Sequence, residues 1–391
     1  MDKQIEESFF SVGTNLILIG RELPYALYIN SSALAEKEHF VRIFPQGGIL
    51  SEEELSRYKK KYHQLYILEK HRDAYLKSLL TIQGATDVQK VDVIKTTAIK
   101  YLGDIFQFGH EFNTELLTET LNNCSEAVGI MVDVVKDYNI NQIQELIGSM
   151  SFHDFYTYDH SINVSMYCIS MLKTMDPLVS REELVLIGFG GLLHDMGKIK
   201  IPTTILNNPD KLTDEEYSII KTHPGMGQTL LDDVTNFPPN IDKEIVRRII
   251  FEHHENHNGT GYPKGIKGED IHLYARICAI ADFFDALTTK RSYHQAMTTD
   301  EAMAVILQAC GKKVDPEVFE VLAQNVKKLV RQGGPVLELE ETFDPGKPYN
   351  VLPFKKFEAK KKDIDIFGKE NTPSFGKVSK NKTTDKKKGA G

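Results

Sequence analysis

Residues 253–265 read HHENHNGTGYPKG. Two adjacent histidines, an acid and a glycine-rich turn closing on Tyr262-Pro263 put ligand-type side chains beside a loop of special backbone shape. Four further places carry the same kind of residue: His160 in DFYTYDHS, the doublet His194-Asp195 in GLLHDMGK, His223 in THPGMG and Asp282 in ARICAIADFFDAL. Imidazole and carboxylate together suit Fe, Mn, Zn and other first-row metals. The carboxylate of a His-Asp doublet can bridge two cations with its two oxygens. Lys198, three residues on, can hold a phosphate as a point charge. Asp282 lies in an apolar helix, where a carboxylate needs a reason to be buried. A lone histidine on an apolar face is ordinarily a satisfied core residue. Five histidines and two aspartates at separate helix ends are hard to sustain as structure only.

The elements that must position these groups are mostly helices. His194-Asp195 falls where an apolar helix ends, His223 at the end of a predicted helix before Pro224-Gly225, and His253-His254 at the end of the helix IVRRIIFE. Residues 151–330 read as almost entirely helical, with loops carrying His, Asp, Gly and Pro. Residues 85–150 read as a helical connector suited to dimerisation, because Leu116, Leu117, Leu121, Val128, Met131, Val132 and Val135 recur at helical spacing. Residues 1–84 read as a small α/β input or docking domain. Its predicted strands are NLILIG, YALYIN, FVRIF and QLYIL, and Ser51 of SEEE opens a helix through Tyr62 with a capping-box pattern. From 331 to 391 the composition turns to Gly, Pro, Lys, Ser and Thr, ending DKKKGAG, which reads as an extended, disordered Lys-rich tail. The fold class is mainly α, with a small N-terminal α/β domain.

Composition narrows the setting. The 391 residues allow two or three domains. A net charge of −8 argues against a nucleic-acid-coating protein. No stretch approaches the roughly 20 apolar residues of a membrane span. The start, MDKQIEESFF, is acidic and lacks the apolar region of a secretory signal. The expected location is the cytoplasm. Cys124, Cys168, Cys278 and Cys310 are scattered and read as core or idle thiols.

The segment GLLHDMGKIKIPTTILNNPDKLTDEEYSIIKTHPGMGQTLL, followed by HHENHNGTGYPKG, resembles the HD-GYP family, a branch of the HD-domain phosphohydrolases. The resemblance covers residues 151–330. It implies an HD-type helical bundle and metal-dependent hydrolysis of bacterial cyclic dinucleotides, chiefly cyclic di-GMP, to linear pGpG and often GMP. Carried onto this chain, it gives one metal to His160, His194, Asp195 and Asp282. The second metal takes Asp195 as a bridge with His223, His253 and His254. The implied cofactors are two divalent ions, iron or manganese. Two cations about 3.5–4 Å apart acidify a bridging water to hydroxide. Lys198, with the metals, neutralises the phosphate oxygens. Arg291 matches the family's phosphate-binding arginine. Tyr262 lines the nucleotide pocket, its hydroxyl placed either to contact substrate or to hold the turn. Asp285, one helical turn after Asp282, is placed to orient Lys198 or a ligand.

The chain also departs from the pattern. Some members place a glutamate four residues before the first metal histidine for a third metal. Here that position is Tyr156, and Asp159 has the wrong spacing to replace it, which favours two metals. His294 stands where the family often has Lys or Arg, weakening one phosphate contact. His257 reads as a loop residue, and His153 and His272 as surface or cap residues. Competing functions are the same chemistry on 3′,3′-cyclic GMP-AMP, or a cyclic-dinucleotide receptor with little turnover. A generic HD phosphohydrolase acting on dNTPs or (p)ppGpp is disfavoured by HHEN and GTGYPKG. The implied partners are cyclic di-GMP and a diguanylate cyclase or other signalling protein, with a homodimer as the candidate assembly.

Overall fold

A computed structural model describes residues 8–32, 39–62, 64–82, 84–107, 114–150, 156–206, 208, 212–289 and 296–326. The predicted tail from 331, Arg291, His294 and His153 lie outside these residues. The N-terminal unit is an antiparallel sheet of β1 (Phe9–Val12), β2 (Leu27–Asn30), β3 (Phe40–Phe44) and β4 (Leu65–Leu68), ordered β1-β4-β2-β3. Alternation sets its faces. Phe10, Val12, Leu27, Leu65 and Ile67 point into the core, while Phe9, Tyr28 and Tyr66 lie half-buried on the other face. Helix α1 (Glu52–Lys61) begins at the expected capping box: the Ser51 side chain accepts from the Glu54 amide, and the Glu54 carboxylate accepts from Ser51 N.

One predicted strand is not formed. NLILIG runs as a turn and irregular chain, with Leu16 N donating to Gly13 O at 2.9 Å and Gly20 N to Leu50 O at 2.9 Å. Leu16, Ile17 and Leu18 are buried, so the run supplies core without joining the ladder. The strand FFSV at 9–12 takes the place beside β4 instead.

The helices then follow in order: α2 (Arg72–Leu79), α3 (Asp87–Gln107), α4 (Thr114–Val135), α5 (Ile140–Ser149), α6 (Tyr156–Met175), α7 (Arg181–Leu193), a 3-10 turn (Met196–Lys200) and α8 (Thr203–Leu206). They continue with α9 (Asp214–Ile220), α10 (His223–Asp232), α11 (Lys243–Glu252), α12 (Leu273–Thr288), α13 (Thr299–Ala309) and α14 (Pro316–Val326). Helix α7 is buried along its length from Leu184 to Leu193, as a helix apolar on all sides must be. It is flanked by α4, α6, α11 and α12.

The segment read as a connector packs along this bundle. Leu117, Leu121, Val128, Met131, Val132 and Val135 of α4 are buried, with α4 against α6 and α7 and α3 against α6. The side chain of Leu116 lies outside the described residues. One core cluster runs from Phe10 to Val326, joining the sheet to the helices. Arg72 makes a polar link across this junction. Its guanidinium lies 3.9 Å over the Phe10 ring, donates to Glu69 at 2.6 and 2.9 Å, and donates to Thr97 of α3 at 3.3 Å. Among the described residues no helix is long and apolar enough to cross a membrane.

Leu121 is fully buried in α4. Leu121→Ala should lower unfolding stability by about 2–5 kcal/mol through lost burial and a residual cavity. Urea unfolding measures this, and an unchanged midpoint would show that α4 is not part of the load-carrying core.

Candidate metal centre

Three of the histidines sit where helices end, and the same local device orients each of them. His194 caps the C-terminus of α7, and its Nδ1 donates to Gly191 O at 2.7 Å. His253 caps α11, with Nδ1 donating to Ile250 O at 2.9 Å. His223 follows the end of α9, with Nδ1 donating to Ile220 O at 2.8 Å. The last carbonyls of a helix have no partner within it, so each ring satisfies one of them. Each ring is thereby fixed with the proton on Nδ1 and the Nε2 lone pair turned inward. His223 differs from expectation in one respect: it opens α10 rather than closing a helix. Pro224 explains this, since proline suits a first helical turn.

His160, on α6, is oriented by a side chain instead. Its Nδ1 donates to Asp285 Oδ2 at 2.7 Å, and its Nε2 lies 3.1 Å from Asp282 Oδ1, both carboxylates being on α12. Asp285 is fully buried and also accepts from Asn163 Nδ2 at 2.9 Å and Thr289 Oγ1 at 2.7 Å. Of the two roles open to Asp285, it therefore orients a ligand-type histidine. Sequence reasoning missed Asn163 and Thr289. The available signal was spacing, since Asn163 lies three residues after His160 and Thr289 four after Asp285, on shared helix faces.

Asp195 joins the two halves of the site. Its Oδ1 lies 3.2 Å from His223 Nε2 and 3.9 Å from His253 Nε2. Its Oδ2 lies 3.3 Å from His194 Nε2 and 4.0 Å from His160 Nε2. Close packing makes this reach possible. A Cβ on Gly197 would fall 1.9 Å from His223 O, so only glycine lets the 3-10 turn lie against the start of α10. Two groups of side chains have ligand atoms within 4.8 Å of one another: His160, His194 and Asp282, and Asp195, His223, His253 and His254. All are buried except His254, which is half-buried.

This arrangement fits divalent cations. His223 Nε2 and His253 Nε2 face each other at 3.3 Å while both Nδ1 atoms serve backbone carbonyls. His194 Nε2 and Asp195 Oδ1 are buried and make no well-formed hydrogen bond. Buried lone pairs and carboxylate oxygens that converge in this way favour a positive charge among them. The protein supplies part of that charge itself: Lys198 Nζ lies 2.5 Å from Asp195 Oδ2. Burial disfavours the Asp195 carboxylate, yet Lys198, His194 and His223 outweigh it and hold the group well below the usual range. Burial also works against a charged His160, but hydrogen bonds to Asp282 and Asp285 push its pKa up to about 9. His253 is held well below the ordinary value by burial and by the neighbouring rings of His254, His194 and His223.

The GYP turn lies directly on the second cluster. The Tyr262 ring stacks on His254, with centroids 4.8 Å apart and planes at 26°, and Tyr262 N donates to His254 O at 3.1 Å. The Tyr262-Pro263 peptide is cis. A Cβ on Gly261 would fall 2.2 Å from Asn256 N, so the turn packs backbone to backbone against HHEN. Glu255 pins it from beneath, accepting from the amides of Lys264, Gly265 and Ile266 at 2.7, 3.1 and 3.0 Å. This buried acid was quoted in the motif but given no role. The glycine-rich turn beside it, whose backbone amides need acceptors, was the signal. His257 is a loop residue whose Nδ1 is 3.7 Å from Asp315 Oδ2, and His272 caps α12 by accepting from Tyr274 N at 3.1 Å. Neither belongs to the clusters.

The part of the chain that carries these residues is similar to known proteins. Residues 158–318 match the family described as "HD domain". The cyclic di-GMP phosphodiesterase response regulator RpfG of Xanthomonas campestris is 41% identical over 151 residues, 39% of each chain. The cyclic di-GMP phosphodiesterase PA4108 of Pseudomonas aeruginosa is 33% identical over 229 residues, 52% of this chain and 53% of that one. A 3′3′-cGAMP-specific phosphodiesterase of Vibrio cholerae is 32% identical over 174 residues, 44% of this chain and 36% of its own length. The chain thus spans about half or less of these relatives. Among solved structures, Bd1817, an HDG"Y"P protein from Bdellovibrio bacteriovorus, shares the fold at a TM-score of 0.51 and 22% identity, covering 82% of this chain and all of that one.

Two outcomes follow from the geometry. Asp285→Asn, which weakens the acceptor that orients His160, should lower Mn(II) affinity about 10–100-fold, as loss of an outer-shell partner does; isothermal titration that showed no change would remove Asp285 from that role. In metal-free protein the raised His160 pKa contributes stability that is complete below pH 6.5 and lost as pH rises through about 9. A cation must displace that proton, so Mn(II) affinity should rise about tenfold per pH unit between pH 6.5 and about 8.5. A flat profile would show a neutral ring.

Proposed function

We propose, from the premise that residues 158–318 are an HD domain of the HD-GYP kind, that the chain is a metal-dependent phosphodiesterase that opens the ring of cyclic di-GMP. The observation that carries this reading is the shared carboxylate of Asp195, reached by His223 and His253 on one oxygen and by His194 and His160 on the other. His160, His194 and Asp282 would hold one divalent cation, and His223, His253 and His254 a second, with Asp195 between them. Bound there, such ions supply Lewis acidity and an acidified water for attack on phosphorus.

The chain's own groups supply the rest. Lys198, now paired with Asp195, carries a positive charge beside the centre and is placed to swing onto a phosphate oxygen. Tyr262 holds a flat ring over His254 at the rim, where a nucleotide would lie. Arg291 is the second phosphate contact in this reading, by its match to the family arginine. The four closely spaced ring nitrogens are held by backbone and carboxylate partners, so little reorganisation is needed when substrate arrives. The product in this reading is pGpG, with GMP where hydrolysis goes on to a second step, and the ions are iron or manganese. Residues 1–84 would serve as the input unit and 85–150 as its helical link, in a cytoplasmic signalling protein that works alongside a diguanylate cyclase or as a homodimer. The relative specific for 3′3′-cGAMP supports a second substrate arm in the test.

The test is product chromatography on anaerobically purified full chain, stripped and reloaded with Fe(II) or Mn(II), given cyclic di-GMP and 3′,3′-cyclic GMP-AMP in parallel. The linear dinucleotide and mononucleotide should appear, and the faster substrate sets base preference. Asp195→Ala should lose metal and cut turnover by more than the about 100-fold that an outer-shell loss costs. Intact nucleotide recovered from fully loaded protein would replace the enzyme with a receptor.

A further inference from the structure

Helix α3 turns a face toward the bundle on which Val91, Ile94 and Ala98 are fully buried. Lys95 shares that face and is 1% exposed. Its Nζ lies 3.0 Å from Oδ1 of Asp159 on α6, an acid that is itself 5% exposed. Asp159 is the residue immediately before His160. The two side chains leave α6 about 100° apart, so one can face α3 while the other faces the metal centre.

Stability is a weak reason to keep such a pair. Removing two charges from water costs several kcal/mol per ion, and well-packed apolar residues of similar volume often do as well or better. What a buried pair adds is a direction: a lysine fixed within one helix face sets where one carboxylate, and the backbone that carries it, must lie. That backbone carries His160, the ligand-type residue that α6 contributes.

Residue 95 also lies outside the matched HD domain, which begins at 158. Helix α3 is joined to the N-terminal unit by several polar links. Arg72 donates to Thr97 at 3.3 Å, Lys100 lies 3.2 Å from Glu69, and Tyr101 OH donates to Asp73 at 3.0 Å. We propose that Lys95 is a positioning residue for the metal centre: through Asp159 it sets the place of His160, so that a helix outside the HD domain completes the first cation site. This rests on the reading of His160, His194 and Asp282 as a cation site. It also gives the N-terminal unit a physical handle on that site, because any shift of α3 moves the anchor of α6.

The test uses the full chain, stripped of metal, with Mn(II) binding followed by titration and folding followed by thermal melting. The variants are Lys95→Met, Asp159→Leu and the double Lys95→Met/Asp159→Leu. The single changes leave one buried charge and should lower the melting temperature. The double change leaves none and should melt near the parent. The proposal expects the double variant, although folded, to bind one of two Mn(II) ions about 10–100-fold more weakly, the range for lost outer-shell support, while the other keeps its affinity. It also expects kcat for cyclic di-GMP to fall with KM little changed. A folded double variant that binds both ions as the parent does would make the pair structural only and overturn the proposal. Parent protein that takes up no Mn(II) would overturn the metal-centre reading itself, and this proposal with it. If the double variant does not fold, Lys95→Gln, which keeps a donor toward Asp159, should show the same one-site loss to a smaller degree; parent-like binding there would equally overturn it.

Discussion

The structure depends on one electrostatic demand: buried imidazole lone pairs and carboxylate oxygens converge around Asp195 with too little positive charge to balance them. An isolated buried charge is costly, and an unpaired buried polar atom costs less but still matters. The chain meets part of the demand with Lys198 against Asp195 and with a protonated His160 between Asp282 and Asp285. The facing Nε2 atoms of His223 and His253 are donors of the kind that suit a first-row cation. A packed apolar core would never place these groups together. Their company is therefore evidence about function, and the helices around them are best understood as the scaffold that tolerates it.

That tolerance comes from helix ends. Each C-terminal turn leaves carbonyls without partners, and a histidine three residues on can satisfy one while turning its other nitrogen away. His194, His223 and His253 all use this device. It explains why the site was legible in the sequence. Histidines at predicted helix ends, next to glycine and proline, mark positions where the backbone itself orients the ring. The carboxylate support of His160 was harder to see because it spans 125 residues to Asp285. Asp285 was noted for its one-turn spacing from Asp282, but two partners were open to it. Only the packing of α6 against α12 decides between them. Lys95 was invisible for the same reason, since its partner lies on another helix and nothing local announces it.

The fold was legible to a similar depth. The mainly helical bundle, the small N-terminal sheet and the capping box at Ser51 follow from periodicity and local chemistry. NLILIG was misassigned because a continuous apolar run carries no alternation. Such a run can fill a core as a strand, a helix or an irregular chain, and periodicity cannot choose. Gly13 and the turn it accepts from Leu16 redirect the backbone before a ladder can form. FFSV was overlooked at the opposite extreme, since four residues with one clear alternation give little signal. The connector was expected to be helical, and it is. Its burial against α6 and α7 is a tertiary fact that an apolar stripe on α4 suggests without naming the neighbour.

The ligand-type residues come from α6, the end of α7, the start of α10, the end of α11 and α12, so the spacing of their atoms records how five helices pack. Close-packed interiors do not deform smoothly, and a helix shifts as a unit when it shifts at all. A site assembled this way is sensitive to whichever helix has neighbours outside the bundle. Helix α6 has α3, α4, α5 and α14 along its sides, and α7 also meets α4. Helices α7 and α11 hold their histidines through carbonyls of their own last turns, which move with them. His160 is held instead by side chains on other elements, Asp285 directly and Lys95 through Asp159. The least self-sufficient ligand-type residue therefore sits on a helix that meets α3, α4 and α5. In physical terms, that is where a shift of a neighbouring helix reaches a ligand-type residue at least cost to the fold.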